Sequence, residues 1–142
     1  MSGSADLLSK TALHNFNQVP LHRSMGLELE ELRAGFARVA MQTSDFTQGG
    51  VGGSVHGGLL AALVDIAMLQ AVATMFHNEE EPAGTADLSI TYLRPAVGEK
   101  VFAEASVLRK GRQLAAIEVD ILDFQGELCA RGRTLYALRA KG

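Results

Sequence analysis

A chain of 142 residues, 47% hydrophobic and 20% charged, is long enough for one domain with a substantial core and has the composition of an ordinary globular protein. Its net charge of −3 offers no electrostatic attraction to nucleic acid or to an anionic membrane. The single cysteine, Cys129, excludes an intrachain disulfide framework and fits a reducing, cytoplasmic setting.

Met1–Lys10 contains an acid and no long apolar run, so it does not read as a secretory signal. Ala5–Asn17 carries a weak helical pattern through Leu7, Leu8, Ala12, Leu13 and Phe16 that ends before Val19-Pro20, giving a helical extension over residues 1–18. Strands are expected near Gly26–Leu32 and Phe36–Thr43, joined by a turn at Ala34-Gly35. A glycine-laden stretch, Gly49 to Gly58, then leads into a helix from Gly57 to about Phe76. The polar stretch His77–Pro82, with the acids Glu79, Glu80 and Glu81, stops that helix and reads as a solvated loop.

From Ala86 onward the apolar period changes to two. Ala86–Leu93 forms a strand stopped by Arg94-Pro95. Val101, Ala103, Ala105 and Val107 line the next, which turns at Lys110-Gly111. Ile117, Val119 and Ile121 line a third, closed by Asp123–Gly126, and Leu128–Leu138 completes the set. Helix, two strands, one apolar helix and four strands favour an α+β fold with an antiparallel sheet.

The run Gly57–Phe76 is about long enough to span a bilayer. However, Asp65 would then lie near the midplane at a cost of roughly 2.5–3.5 kcal/mol, no Lys or Arg flanks the run, and strand patterns follow at once. A buried core helix is the better reading. Being apolar on nearly every side, it needs cover all round. One curled sheet covers only part of it, so a second subunit is the economical way to cover the rest.

Asp65 is the only formally charged residue between Phe46 and Asn78, and a carboxylate in such a run is costly unless paired or hydrogen-bonded. The competing chemistries fail on spacing. No Gly-Lys-Ser/Thr follows the glycines, and Val55 stands where a dinucleotide fingerprint needs Gly or Ala. The histidines at 14, 22, 56 and 77 form no metal-binding pair, Ser54 and His56 sit in no nucleophile elbow, and Cys129 reads as a core residue.

What remains is a helix N-terminus followed by a carboxylate. The amides of Gly57 and Gly58 lie at the positive end of the helix dipole, where donors can hold an oxyanion. Asp65 could serve as nucleophile or general base. Gly57 and Asp65 are separated by about 12 Å along the helix axis, so one small reacting group cannot touch both in one chain. If both serve one reaction, Asp65 comes from a neighbouring subunit; otherwise it braces an interface.

Several of these residues resemble a known family. Val55-His56-Gly57-Gly58 followed by Leu63-Val64-Asp65-Ile66-Ala67, together with Val19-Pro20-Leu21, Met25-Gly26-Leu27, Thr85–Ala96, Gly98, Gly111-Arg112 and Asp123, resembles the hotdog-fold thioesterases of the phenylacetate-pathway (PaaI-like) group over about residues 19–139. The resemblance implies one hotdog domain over 1–142, a long helix wrapped by an antiparallel sheet, and homodimers that often pair into homotetramers. It implies hydrolysis of an aryl or short- to medium-chain acyl-CoA with no metal or redox cofactor.

Carried over by position, the Gly57 amide polarises the thioester carbonyl, His56 shapes the start of the helix, and Asp65 of the opposite subunit attacks or activates water. Gly58 and Thr85 would lie along the substrate, and Arg94, Arg109, Lys110 and Arg112 are the cations available to CoA phosphates. Many relatives carry Asn or Gln where this chain has Gly50, with Gln48 the nearest substitute, and some carry a polar residue where it has Leu69. The rival within the fold is a non-catalytic protein that binds an acyl thioester.

Overall fold

The structure, a computed structural model, describes residues 5–142. Its elements are α1 (Lys10–Gln18), α2 (Pro20–Ser24), β1 (Leu27–Arg33), β2 (Phe36–Gln42), α3 (Gly57–Ala73), β3 (Glu80–Tyr92), β4 (Lys100–Lys110), β5 (Leu114–Leu122) and β6 (Leu128–Ala140). The six strands form one antiparallel sheet in the order β1-β2-β4-β5-β6-β3, curled around α3. This is the hotdog architecture expected from the resemblance.

The two-residue period places Val101, Ala103 and Ala105 of β4, and Ala115, Ile117, Val119 and Ile121 of β5, on the buried face. Gly132 of β6 lets the helix approach closely, because a Cβ there would lie 2.6 Å from a Val64 methyl. From α3, Leu60, Leu63, Val64, Ile66, Ala67, Met68, Ala71 and Val72 are buried. Gly58, Leu69 and Ala73 stay exposed, with Ala62 and Asp65 half-buried between them, all at helical spacing. The sheet therefore leaves one stripe of an apolar helix uncovered. Among the described residues no helix is long and apolar enough to cross a membrane.

Three expectations need correction. The first is at the N-terminus, where the expected extension begins in residues 1–4, outside the described residues. Its helix starts only at Lys10, capped by Ser9 accepting from the Ala12 amide. Val19-Pro20 ends α1 as expected, but Pro20 also opens α2 at the first helical position, where its missing N–H costs nothing. His22 Nδ1 donates to Phe16 O, and Arg23 donates to the carbonyls of Asn17 and Gln18, closing the corner.

The second correction is that α3 stops at Ala73 rather than near Phe76. There the Thr74 hydroxyl donates to Ala71 O and accepts the amide of Gly35, pinning the β1–β2 turn to the helix end. The third concerns the acidic stretch. Glu80 and Glu81 belong to β3, paired with Lys110 and Arg139, and only Glu79 sits in a turn. Irregularities at Pro82/Gly84 and Thr85/Asp87 break the alternation there, which hid the first half of the strand.

Candidate functional site

The loop before α3 closes on itself. The amides of Gly49 and Gly50 both donate to Ser54 O, and His56 N donates to Thr47 O. Gly52 (φ 65) and Gly53 (φ 80) make the turn that returns the chain. His56 then caps α3: its Nδ1 accepts the Gly58 amide at 2.9 Å, which puts the ring proton on Nε2. Gly58 is therefore not the free donor expected of it. The Gly57 amide has no partner among the described residues, so one unpaired N–H marks the positive end of the helix. Tyr92, at the far end of β3, donates its hydroxyl to Gly57 O at 2.6 Å.

Asp65 lies further along α3, half-buried, with Oδ1 accepting the Thr85 hydroxyl at 2.7 Å. Burial, and secondarily the Asp65 charge, pushes the Tyr136 phenol upward. Thr85, expected along the substrate, here uses its hydroxyl to fix the carboxylate. Asp65 sits beside Thr85 and Gly57 beside Tyr92, at separate points along β3. Within one chain the structure does not bring the acid and the free amide together.

A Cβ added at Gly50 would lie 2.3 Å from Ser54 Oγ and 2.6 Å from Val55 O, so this loop has no room for an amide side chain at that position. Gly50→Asn is expected to lower stability by about 1–3 kcal/mol, read as a fall in the thermal midpoint; an unchanged midpoint would show that the loop opens freely. Gln48 is exposed and shares a groove of ≈ 250 Å³ with Phe46, His56, Gly58 and Leu59.

The candidate cations do not converge. Lys110 is removed from the set: its Nζ lies 2.8 Å from Glu80 Oε2, with the two side chains only 8% and 11% exposed. The Glu80 carboxyl is held below its ordinary range, first by the His77 amide and then by Lys110. Arg94 pairs with Glu127 near the Gly57 end. Arg109 and Arg112 are without an ion pair among the described residues, near the hairpin beside the start of β3. Cys129 is buried, its thiol pushed up by desolvation, and it behaves as core.

Sequence reasoning missed Tyr92. Its signal was the alternation Leu88, Ile90, Tyr92, which places the ring on the helix side of β3. It also missed a groove of ≈ 340 Å³ beside Gly57, walled by Val51, Val55, Leu60, Tyr92, Leu93 and Ala96.

Known proteins share both the sequence and the fold. The family model of the thioesterase superfamily matches residues 52–130. The chain is 32% identical over 116 residues to the medium/long-chain acyl-CoA thioesterase YigI of Escherichia coli K12, covering 72% of this chain and 75% of that protein. It is 39% identical over 83 residues to mouse acyl-coenzyme A thioesterase 13, covering 57% and 58% of the two chains. A solved structure from the thioesterase superfamily superposes with a TM-score of 0.79 at 31% identity, covering 92% of this chain and 100% of that one. The Escherichia coli PaaI protein from the phenylacetic acid degradation operon shares the fold, with a TM-score of 0.77 at 23% identity over 92% of this chain and 91% of its own.

Proposed function

Because this chain belongs to the thioesterase superfamily, we propose that it hydrolyses acyl-CoA thioesters at sites shared between two subunits. The observation that carries the reading is the unpaired Gly57 amide at the start of α3, with a carboxylate held by Thr85 on the uncovered stripe of the same helix. The Gly57 N–H and the helix dipole receive the carbonyl oxygen as it becomes an oxyanion. Asp65 of the opposite subunit either attacks the carbonyl carbon, expelling CoA thiolate and leaving an anhydride for water to cleave, or takes a proton from the water that attacks. Either route consumes one water and yields a carboxylate and a free thiol, with no metal or redox cofactor.

The edges of the sheet support a partner at β3. The β1 edge is partly covered: Leu7 N donates to Leu32 O, Asp6 bridges Arg33, and acids line the strand. β3 pairs only with β6 among the described residues, and its residues 82–92 carry one charge, Asp87. A two-fold axis normal to the sheet keeps both helices on one side. Bringing Gly57, beside Tyr92, close to the opposite subunit's Asp65, beside Thr85, places that axis at the exposed Ser89, whose two copies then lie directly opposite each other. Ser89→Cys is therefore expected to give disulfide-linked dimers on mild oxidation, seen on non-reducing gels. A variant that stays monomeric there counts against this register.

The direct test is thiol release from a panel of acyl-CoA substrates by the purified protein. Cleavage of at least one class supports the reading, and no cleavage across aryl, short and long chains rejects it.

A further inference from the structure

Two grooves flank the start of α3, and they differ in whether the helix amide beside them is free. The one lined by Phe46, Gln48, His56, Gly58 and Leu59 adjoins the Gly58 amide, which His56 Nδ1 already holds.

The groove beside Gly57 adjoins the amide that is free. Its Tyr92 hydroxyl is already donated to Gly57 O, the Gly50 amide to Ser54 O, and Arg94 is paired with Glu127. Val51, Val55, Leu60, Leu93, Pro95 and Ala96 give it an apolar wall interrupted by Ser54, and the unpaired Gly57 amide lies at its side.

We infer that this groove takes the acyl chain of the thioester, with Ala96 at its floor and Val51 at its rim setting the chain length accepted. The inference rests on the proposed thioesterase reading and adds to it the residues that read the acyl chain. Ala96 is 1% exposed, so an added methyl group there has only the groove to enter or the core to strain; Val51, 84% exposed, stands over the opening on its glycine-flanked turn. At ≈ 340 Å³ this groove is also the roomier of the two, against ≈ 250 Å³ for the groove beside Gly58.

The test is the ratio of kcat/KM for decanoyl-CoA to that for butanoyl-CoA, in the wild type, Ala96→Val and Val51→Trp, with Phe46→Trp in the other groove for comparison. Ala96→Val and Val51→Trp are expected to lower the ratio by at least roughly tenfold, since each takes up more room than the single methylene that is worth about that much. Val51 is exposed, so Val51→Trp decides the matter even where Ala96→Val fails to fold. A ratio unmoved by the folded variants, or moved only by Phe46→Trp, overturns the groove assignment and leaves the thioesterase reading standing. A wild type that cleaves no acyl-CoA overturns both.

Discussion

Asp65→Asn is expected to lower kcat/KM for the best acyl-CoA by about 10²–10⁴-fold, the range for loss of a positioned base, while the protein stays folded and dimeric. The substitution is isosteric, and the amide oxygen can still accept the Thr85 hydroxyl that now holds Oδ1. What it removes is the charge and the ability to attack or take a proton. Kinetics alongside circular dichroism and sedimentation separate chemistry from structure. If Asp65 only braced an interface, the variant would keep its rate and lose association instead, and that outcome would sink the catalytic assignment.

Gly57→Pro is expected to cost a comparable 10²–10³-fold or so in kcat, the loss seen when one oxyanion donor is deleted. Proline deletes the N–H and little else at this position. Gly57 is the first residue of α3, where proline is well tolerated. The preceding residue, His56, already has the extended conformation (φ −57, ψ 130) that a following proline requires. A Cβ at Gly57 meets the Tyr92 ring at 3.4 Å, an ordinary contact. A variant with full kcat would show that the carbonyl is polarised elsewhere.

The two variants together test the shared site. Each homodimer should be nearly inactive, but in a mixed dimer Gly57 of the Asp65→Asn chain faces Asp65 of the Gly57→Pro chain. Random re-association of equal amounts then restores about a quarter of wild-type activity, since half the dimers carry one intact site of two. Sites contained within single chains would regain nothing on mixing.

Much of the fold was legible because it rests on local periodicity. The alternation of Val101, Ala103 and Ala105, and of Ile117, Val119 and Ile121, marked β4 and β5, and the apolar run after Gly57 marked α3. The first half of β3 was not legible. Two bulges interrupt its alternation, and its acids are satisfied by Lys110 and Arg139, residues far away in sequence. The site divides the same way. Asp65 and Gly57 stood out by composition and by place on a helix. That Gly58 is taken by His56, that Lys110 is taken by Glu80, and that Tyr92 reaches Gly57 O depend on side-chain directions that no spacing reveals.

The sequence by itself determined the α+β class, the central helix, and the distance that separates its amide from its acid, because helix rise and strand period are properties of the backbone alone. Only the tertiary structure decided which polar groups remain free to act. A hydrogen bond such as Thr85 to Asp65, or an ion pair such as Lys110 to Glu80, forms when the chain folds two distant segments together, and it leaves no mark in either segment read alone.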